Sequence, residues 1–355
     1  MSVSFPNRSA AKSFAVRHAS GLALISAAAA LGALAYYNIR RARAAEARDP
    51  PIGKWIEVEG VRLHYFEKGE GPALTLIHGN LATGEDFAVS GLVDRLAESF
   101  RVIVVDRPGF GFSARPGRFW TPSDYAGLLR KALEKIGVRK AIVVGHSYGA
   151  MVAMALALEH PAFVTRLTLI GGYFYPSPRI DVALLAQPAI PVLGDILRFT
   201  LSPLIMRSVK PALDRILFAP APVAQAFALG FPHGLSARPL QIRAQAEDAL
   251  TMVPAAARMQ ERYRQLDMPV TICAGADDHW VDARTQSGRL HEEIPGSRLD
   301  LYPGVGHMAH YSALRALVAA LEELQGGERQ SLSAADGVGL PRRVPVGGGA
   351  APPGG

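Results

Sequence analysis

Gly145-His146-Ser147-Tyr148-Gly149 carries the clearest chemical signal in this 355-residue chain. The apolar run Ala141 to Val144 precedes it and the apolar stretch Ala150 to Leu158 follows it. A serine between a strand and a helix sits on a tight turn, where small residues two before and two after let neighbouring backbone approach. Such a turn lifts the hydroxyl above the sheet edge. A serine hydroxyl is inert near neutral pH without a base. His307, in Gly304-Val305-Gly306-His307, is the expected base, because its loop follows the run Arg298 to Tyr302. His310, one turn into the next helix, is the competing histidine, and a surface or packing role is expected of it. The two histidines also have i, i+3 spacing, but no carboxylate-rich cluster accompanies them, so no metal site is expected.

An imidazole base needs an acceptor on its second nitrogen to fix its tautomer. Gly275-Ala276-Asp277-Asp278 follows the run Val270 to Ala274, and either aspartate would serve. Asp278, deeper in the loop, is the expected acid, and Asp277 is expected to be solvated or to cap a turn. A developing oxyanion needs two preorganised N–H donors. The backbone of Tyr148, just past the serine, should supply one. The other should come from Asn80 in His78-Gly79-Asn80, with Leu81 as the alternative, and His78 is expected to brace this loop. None of these steps calls for a cofactor.

Such residues must be carried by a framework that brings them together. Leu74 to Ile77, Val102 to Val105, Ala141 to Val144, Leu167 to Ile170 and Val270 to Ala274 are short Val/Ile/Leu-rich runs without alternation. That pattern marks strands buried on both faces of a parallel sheet. Helical stretches at Phe87 to Glu98, Asp124 to Ile136 and Ala150 to His160 lie between them, so a doubly wound α/β fold is expected. Trp55 to Val58 and Val61 to Glu67 flank Glu59-Gly60 and read as an antiparallel hairpin. Residues 173–265 have no strand-like run, many prolines and short amphipathic pieces, and read as an inserted helical cap. The core is thus expected over 51–172 and 266–325. The Gly/Pro-rich tail, 326–355, is expected to be disordered.

Most of the net charge of +7 comes from one end. Residues 1–50 hold Arg8, Lys12, Arg17, Arg40, Arg41, Arg43 and Arg48 against Glu46 and Asp49, and the remainder is close to neutral, which gives no reason to expect nucleic acid as a partner. Cys273 is the lone cysteine, which excludes an intrachain disulfide. From Ser20 to Ile39 the chain is uncharged, ends in Tyr36 and Tyr37, and is about as long as a helix needs to cross a bilayer. A cleaved signal peptide, a mitochondrial presequence and a retained anchor compete here. The length and flanks favour the anchor, and the arginines on its carboxyl side favour a cytoplasmic catalytic domain. The globular fold is expected to be complete without this segment.

Taken together, HGN at 78–80, DRPGFGFS at 106–113, GHSYG at 145–149, GADDHWV at 275–281 and GVGH at 304–307 resemble the α/β-hydrolase superfamily, over roughly Trp55 to Leu324. The resemblance implies a mostly parallel central sheet, a cap inserted after the sixth strand, and a Ser-Asp-His triad at the carboxyl ends of the strands in that chain order. It implies a structural role for Asp106 to Ser113. Haloalkane dehalogenases and many epoxide hydrolases share the HGN and PGFG loops but carry aspartate at the turn, so Ser147 points elsewhere, to ester, thioester or amide cleavage through an acyl-enzyme. Carbon–carbon hydrolases and cofactor-free haloperoxidases also use serine and stay open, as does a non-catalytic ligand-binding member. Phe199, Phe218, Phe227 and Phe231 in the cap either pack it onto the sheet or line an acyl pocket. The cap also carries Arg198, Arg207, Lys210 and Arg215, which would suit an anionic lipid surface. With the anchor, the chain resembles membrane-anchored monoacylglycerol lipases, which implies a lipid-like or small hydrophobic ester as substrate.

Overall fold

The computed structural model describes residues 8–179, 182, 186–323 and 342–343. Its centre is a nine-stranded sheet in the order β1-β2-β4-β3-β5-β6-β7-β8-β9. The strands are β1 (Lys54–Val58), β2 (Val61–Lys68), β3 (Ala73–Ile77), β4 (Arg101–Val105), β5 (Ala141–His146), β6 (Val164–Ile170), β7 (Val270–Gly275), β8 (Arg298–Tyr302) and β9 (Arg342–Arg343). The β1–β2 hairpin pairs antiparallel onto β4, and β4 through β8 run parallel. Because these strands are parallel, the loops that leave β3, β5, β7 and β8 open at one edge of the sheet. That edge is where a parallel α/β sheet gathers functional groups.

The uninterrupted apolar runs have a direct structural reason. Leu74, Leu76 and Ile77 of β3 and Val143 and Val144 of β5 are buried, with helices covering both faces. Helix Tyr148–Glu159 is apolar all round because it too is buried on nearly every side, from Tyr148 to Leu158. Helix Pro122–Lys135 shows a sharper start. Thr121 accepts from the Asp124 N–H, Asp124 reaches back to the Thr121 N–H, and Pro122 fills the first helical position. The stretch Phe87 to Glu98, expected as one helix, is two short ones, Glu85–Val89 and Leu92–Leu96. Gly91 between them takes a left-handed turn (φ +82°) that ends one and starts the other.

Between β6 and β7 the chain forms the helical cap. Its helices include Leu193–Phe199, Leu201–Phe218, Gln225–Gly230, His233–Ser236 and the long Pro239–Met259. The tail expected to be disordered lies outside the described residues, apart from Arg342–Arg343, whose backbone pairs antiparallel with β8.

The amino-terminal helix runs from Arg8 to Arg48. From Ser20 onward it is long and apolar enough to cross a membrane, and Leu22, Leu24, Ile25, Leu31, Tyr36 and Tyr37 are exposed along it. The carboxyl end of this helix touches the globular fold. Asn38 is buried and donates to the carbonyls of Phe199 at 3.0 Å and Thr200 at 2.7 Å. Ala45 is buried beside Gly234, and Glu46 pairs with Arg238 at 2.8 Å. An apolar stripe ending in polar residues can dock its last turns onto the cap while leaving the preceding turns uncovered.

Candidate active site

Ser147 sits between the last residue of β5 and the first of helix Tyr148–Glu159, at φ 56° and ψ −122°. Holding a non-glycine residue there costs on the order of 1–3 kcal/mol. The flanking glycines make the turn feasible. A Cβ on Gly145 would lie 2.3 Å from the Gly149 carbonyl oxygen, and one on Gly149 would lie 2.1 Å from that of Ile77. The turn is therefore wedged against β3.

The structure brings the three residues expected to form a triad within hydrogen-bonding distance. His307 Nε2 lies 2.9 Å from Ser147 Oγ, and His307 Nδ1 lies 2.7 Å from Asp278 Oδ2. Asp278 Oδ1 accepts the backbone N–H groups of Trp280 and Val281 at 2.8 and 2.9 Å, which orients the carboxylate. A carboxylate only accepts, so the proton shared with it resides on Nδ1 and Nε2 is left as the acceptor facing the serine. The neighbouring aspartate does something else. Asp277 Oδ2 accepts the Gly304 N–H at 2.8 Å on the exposed side of the loop. The His307 backbone is clamped at both ends: its N–H donates to the Leu217 carbonyl in the cap, and its carbonyl accepts from His146 Nε2 at 3.0 Å.

The two expected oxyanion donors differ in surroundings. Tyr148 is the first residue of its helix, so its N–H has no acceptor within that helix. On the opposite wall, Asn80 Oδ1 accepts the N–H of Leu81 at 3.1 Å, which turns the Leu81 donor toward its own neighbour and leaves the Asn80 backbone as the donor of that loop. The Asn80 amide also donates to the Gln245 carbonyl in the long cap helix. His78 braces the loop from beneath. Its Nε2 accepts the Arg107 N–H at 3.0 Å and its Nδ1 lies 2.8 Å from the Gly79 carbonyl. Burial, reinforced by the adjacent Arg107, pushes the His78 imidazole down to about 3, so it stays neutral.

Sequence reasoning missed the group that ties this loop to the cap. Arg107 is fully buried; it donates to the carbonyls of His78 and Gly79 at 3.1 Å each and pairs with Asp248 of the long cap helix at 2.5 Å. Tyr125 donates to the other oxygen of Asp248 at 2.6 Å, and Arg115 pairs with Glu247 at 2.7 Å. A second missed cluster lies behind His307. His310, expected to have a packing or surface role, is buried with Nε2 2.9 Å from Asp86 Oδ2, and Tyr311 donates to Asp86 Oδ1. Its ring meets that of His146 edge-on at 4.5 Å. Burial and the two neighbouring imidazoles hold His146 well below the usual histidine range. Donor atoms of Asp86, His146 and His310 lie within 4.8 Å of one another, the kind of grouping a metal would need, but both Asp86 oxygens are already engaged within the cluster. In the sequence these residues carried only the signal of polar side chains in otherwise apolar segments.

A narrow cavity of about 60 Å³ opens over Ser147. Tyr173, Leu217, Phe227, Phe231, Trp280 and Met308 give it a mainly apolar lining. Of the four cap phenylalanines, Phe227 and Phe231 reach this cavity, stacked on each other at 4.8 Å. Phe218 packs behind them against Tyr311, and Phe199 lies beside the docked end of the amino-terminal helix. Lys210 is the buried cation at the wall, paired with Asp214 at 2.5 Å and lying over both aromatic rings.

Comparison with known proteins gives the same picture of the core. The profile of the Alpha/beta hydrolase family matches residues 76–320. An uncharacterized protein of Mycobacterium tuberculosis is 30% identical over 277 residues, covering 73% of this chain and 76% of that protein. A 2-hydroxymuconate semialdehyde hydrolase of Pseudomonas sp. (strain CF600) is 38% identical over 130 residues, 35% of this chain and 44% of that one. Among solved structures, an esterase from Exiguobacterium antarcticum superposes with a TM-score of 0.64 at 19% identity, over 78% of this chain and 100% of its own. A bacterial membrane phospholipase A superposes with a TM-score of 0.55 at 22% identity, over 88% and 99%.

Proposed function

The chain belongs to the alpha/beta hydrolase family, and from that premise we propose that it is a membrane-anchored serine hydrolase that cleaves a lipid-like or small hydrophobic carboxylic ester. The observation that carries this reading is the continuous chain of contacts from Ser147 Oγ through His307 to Asp278, at 2.9 and 2.7 Å, at the floor of an apolar cavity. His307 Nε2 takes the Ser147 proton as Oγ attacks the ester carbonyl. The carbonyl oxygen becomes an oxyanion facing the N–H groups of Tyr148 and Asn80. Each such donor is worth about 2.7–4 kcal/mol in the transition state. His307 then gives its proton to the departing alkoxide, leaving the acyl group on Ser147. A water loses its proton to His307, attacks the acyl carbonyl, and Ser147 leaves with that proton returned to it. Asp278 stabilises the imidazolium and never needs to be protonated itself.

The apolar lining, the aromatic pair Phe227 and Phe231, and the exposed apolar helix support an acyl chain delivered from a bilayer. We read that helix as a retained anchor with the catalytic domain on the cytoplasmic side. The likeness to a membrane phospholipase A supports the shared fold, and extends the comparison beyond the residues that the family profile covers.

A fluorophosphonate probe tests the chemistry. Wild type should be labelled and Ser147→Ala should not; a folded protein that resists labelling would sink the hydrolase reading. The partial match to a carbon–carbon bond hydrolase favours one competing reaction on the same serine. Rates across esters graded by chain length, alongside a vinylogous diketone acid, separate the two. Turnover of the diketone acid alone would overturn the ester assignment. Retention in alkaline-washed membranes and protease protection test the anchor and its orientation.

A further inference from the structure

A second, larger cavity lies away from Ser147, where the last turns of the amino-terminal helix meet the cap. It measures about 540 Å³. Arg41 and Arg48 line it from the helix, and Arg207, Lys210 and Arg215 line it from the cap, with Asp214 as the lining carboxylate. Two of these charges are matched locally. Lys210 pairs with Asp214 at 2.5 Å, and Arg48 pairs with Asp49 at 2.9 Å. Among the described residues, Arg41, Arg207 and Arg215 have no carboxylate partner. Arg207 is half-buried and its charge meets only a neutral acceptor, Asn38 Oδ1, and the ring of Tyr37. Burial, with Arg41 repelling it, pushes its guanidinium down, and Tyr37 opposes this in part. Arg41 and Arg215 are exposed and Arg207 is partly buried, so like charges converge at the cavity with no carboxylate between these three, and a ligand that brings negative charge relieves their repulsion.

Position identifies the anion. The exposed apolar stretch of the helix ends at Tyr36 and Tyr37, and Arg41 follows within one turn or so. Aromatics at the end of a span sit at the headgroup level, and cations just beyond it meet lipid phosphates. The cavity also has an apolar side, formed by Met206, Val223 and Phe227, suited to the glycerol and first methylenes of a lipid. Lys210 and Phe227 belong to this cavity and to the one over Ser147, so one wall serves both.

We propose that this cavity binds the phosphate-bearing headgroup of an anionic phospholipid at the membrane surface. The proposal rests on the membrane reading of the helix and is independent of the ester chemistry.

The test uses the full chain purified in neutral detergent micelles, doped with phosphatidylglycerol or with phosphatidylcholine, and reads Tm. Phosphatidylglycerol should raise Tm by about 5 °C, and phosphatidylcholine should not. Arg41→Gln together with Arg215→Gln removes two cations that make no side-chain hydrogen bond among the described residues, and should abolish most of the shift. Arg258→Gln with Arg264→Gln, exposed charges outside the cavity, should leave it intact. No shift in wild type, or an equal shift in the cavity variant, overturns the proposal. An equal shift from soluble glycerol phosphate overturns the lipid assignment in favour of a free phosphate ester. The micelle assay does not require the helix to span. Alkaline extraction of native membranes tests spanning separately, so the two readings fail independently.

Discussion

His146, the residue immediately before the candidate nucleophile, donates from Nε2 to the backbone carbonyl of His307 at 3.0 Å. The turn that carries Ser147 therefore holds the loop that carries His307. The contact is buried and His146 stays neutral, so it should persist across the working pH range. His146→Ala should lower kcat by about 10–100-fold with little change in KM, because the imidazole loses its register with Ser147. His146→Gln, which can still donate, should recover part of the loss. Steady-state kinetics on a soluble ester check this; a change confined to KM would assign His146 to substrate binding instead.

The two adjacent aspartates should separate cleanly. Asp278→Asn should lower turnover by about 10³–10⁴-fold, because an amide cannot hold His307 in the required tautomer. Asp277→Asn keeps a carbonyl oxygen that can still accept the Gly304 N–H and should stay within about twofold of wild type. The reverse ranking in an ester assay would reassign the acid.

Arg107 and Asp248 form a buried pair between the loop at 78–80 and the cap. Removing one partner leaves the other charged and unmatched, so Asp248→Ala should cost about 3–5 kcal/mol of stability. Replacing both, as in Arg107→Met with Asp248→Leu, should cost less than the single change. Urea unfolding measures both. A double variant as unstable as the sum of its parts would show that the two side chains act separately.

Glu85 introduces a pH dependence of stability. Burial, then repulsion from Asp106 and Asp49, raises its carboxyl to about 7, with Arg238 acting the other way. The folded chain therefore keeps a proton that the unfolded chain releases at its ordinary value of 4.5. The unfolding free energy contributed by this group is highest below the unfolded value and falls as pH rises toward about 7. Discounted for partial exposure, the loss is about 1–2 kcal/mol. Glu85→Gln should flatten the profile and raise Tm at pH 8 relative to wild type. Parallel Tm profiles for the two proteins would remove Glu85 from this role.

The strands were legible because each is a local run of buried Val, Ile and Leu, and the loops at 78–80, 145–149, 275–281 and 304–307 were legible because each follows such a run. The break at Gly91 was not legible, since an isolated glycine within a helical pattern is tolerated and does not by itself mark an end. The pairing of β9 onto β8 came from two arginines in a Gly/Pro-rich tail, where no periodicity marks a strand.

The sequence by itself determined which residues stand at the carboxyl ends of the strands, and so which side chains were available for chemistry, because strand, turn and helix signals act over a few neighbouring residues. Only the tertiary structure decided how distant polar groups pair. Arg107 meets Asp248 across 141 positions, His310 meets Asp86 across 224, and Asn38 reaches Thr200 across 162. Nothing in local spacing encodes such partners. They are selected by the order of strands in the sheet and by where the cap and amino-terminal helix come to rest on it, since a polar group excluded from water must bond to whatever the packing brings within reach.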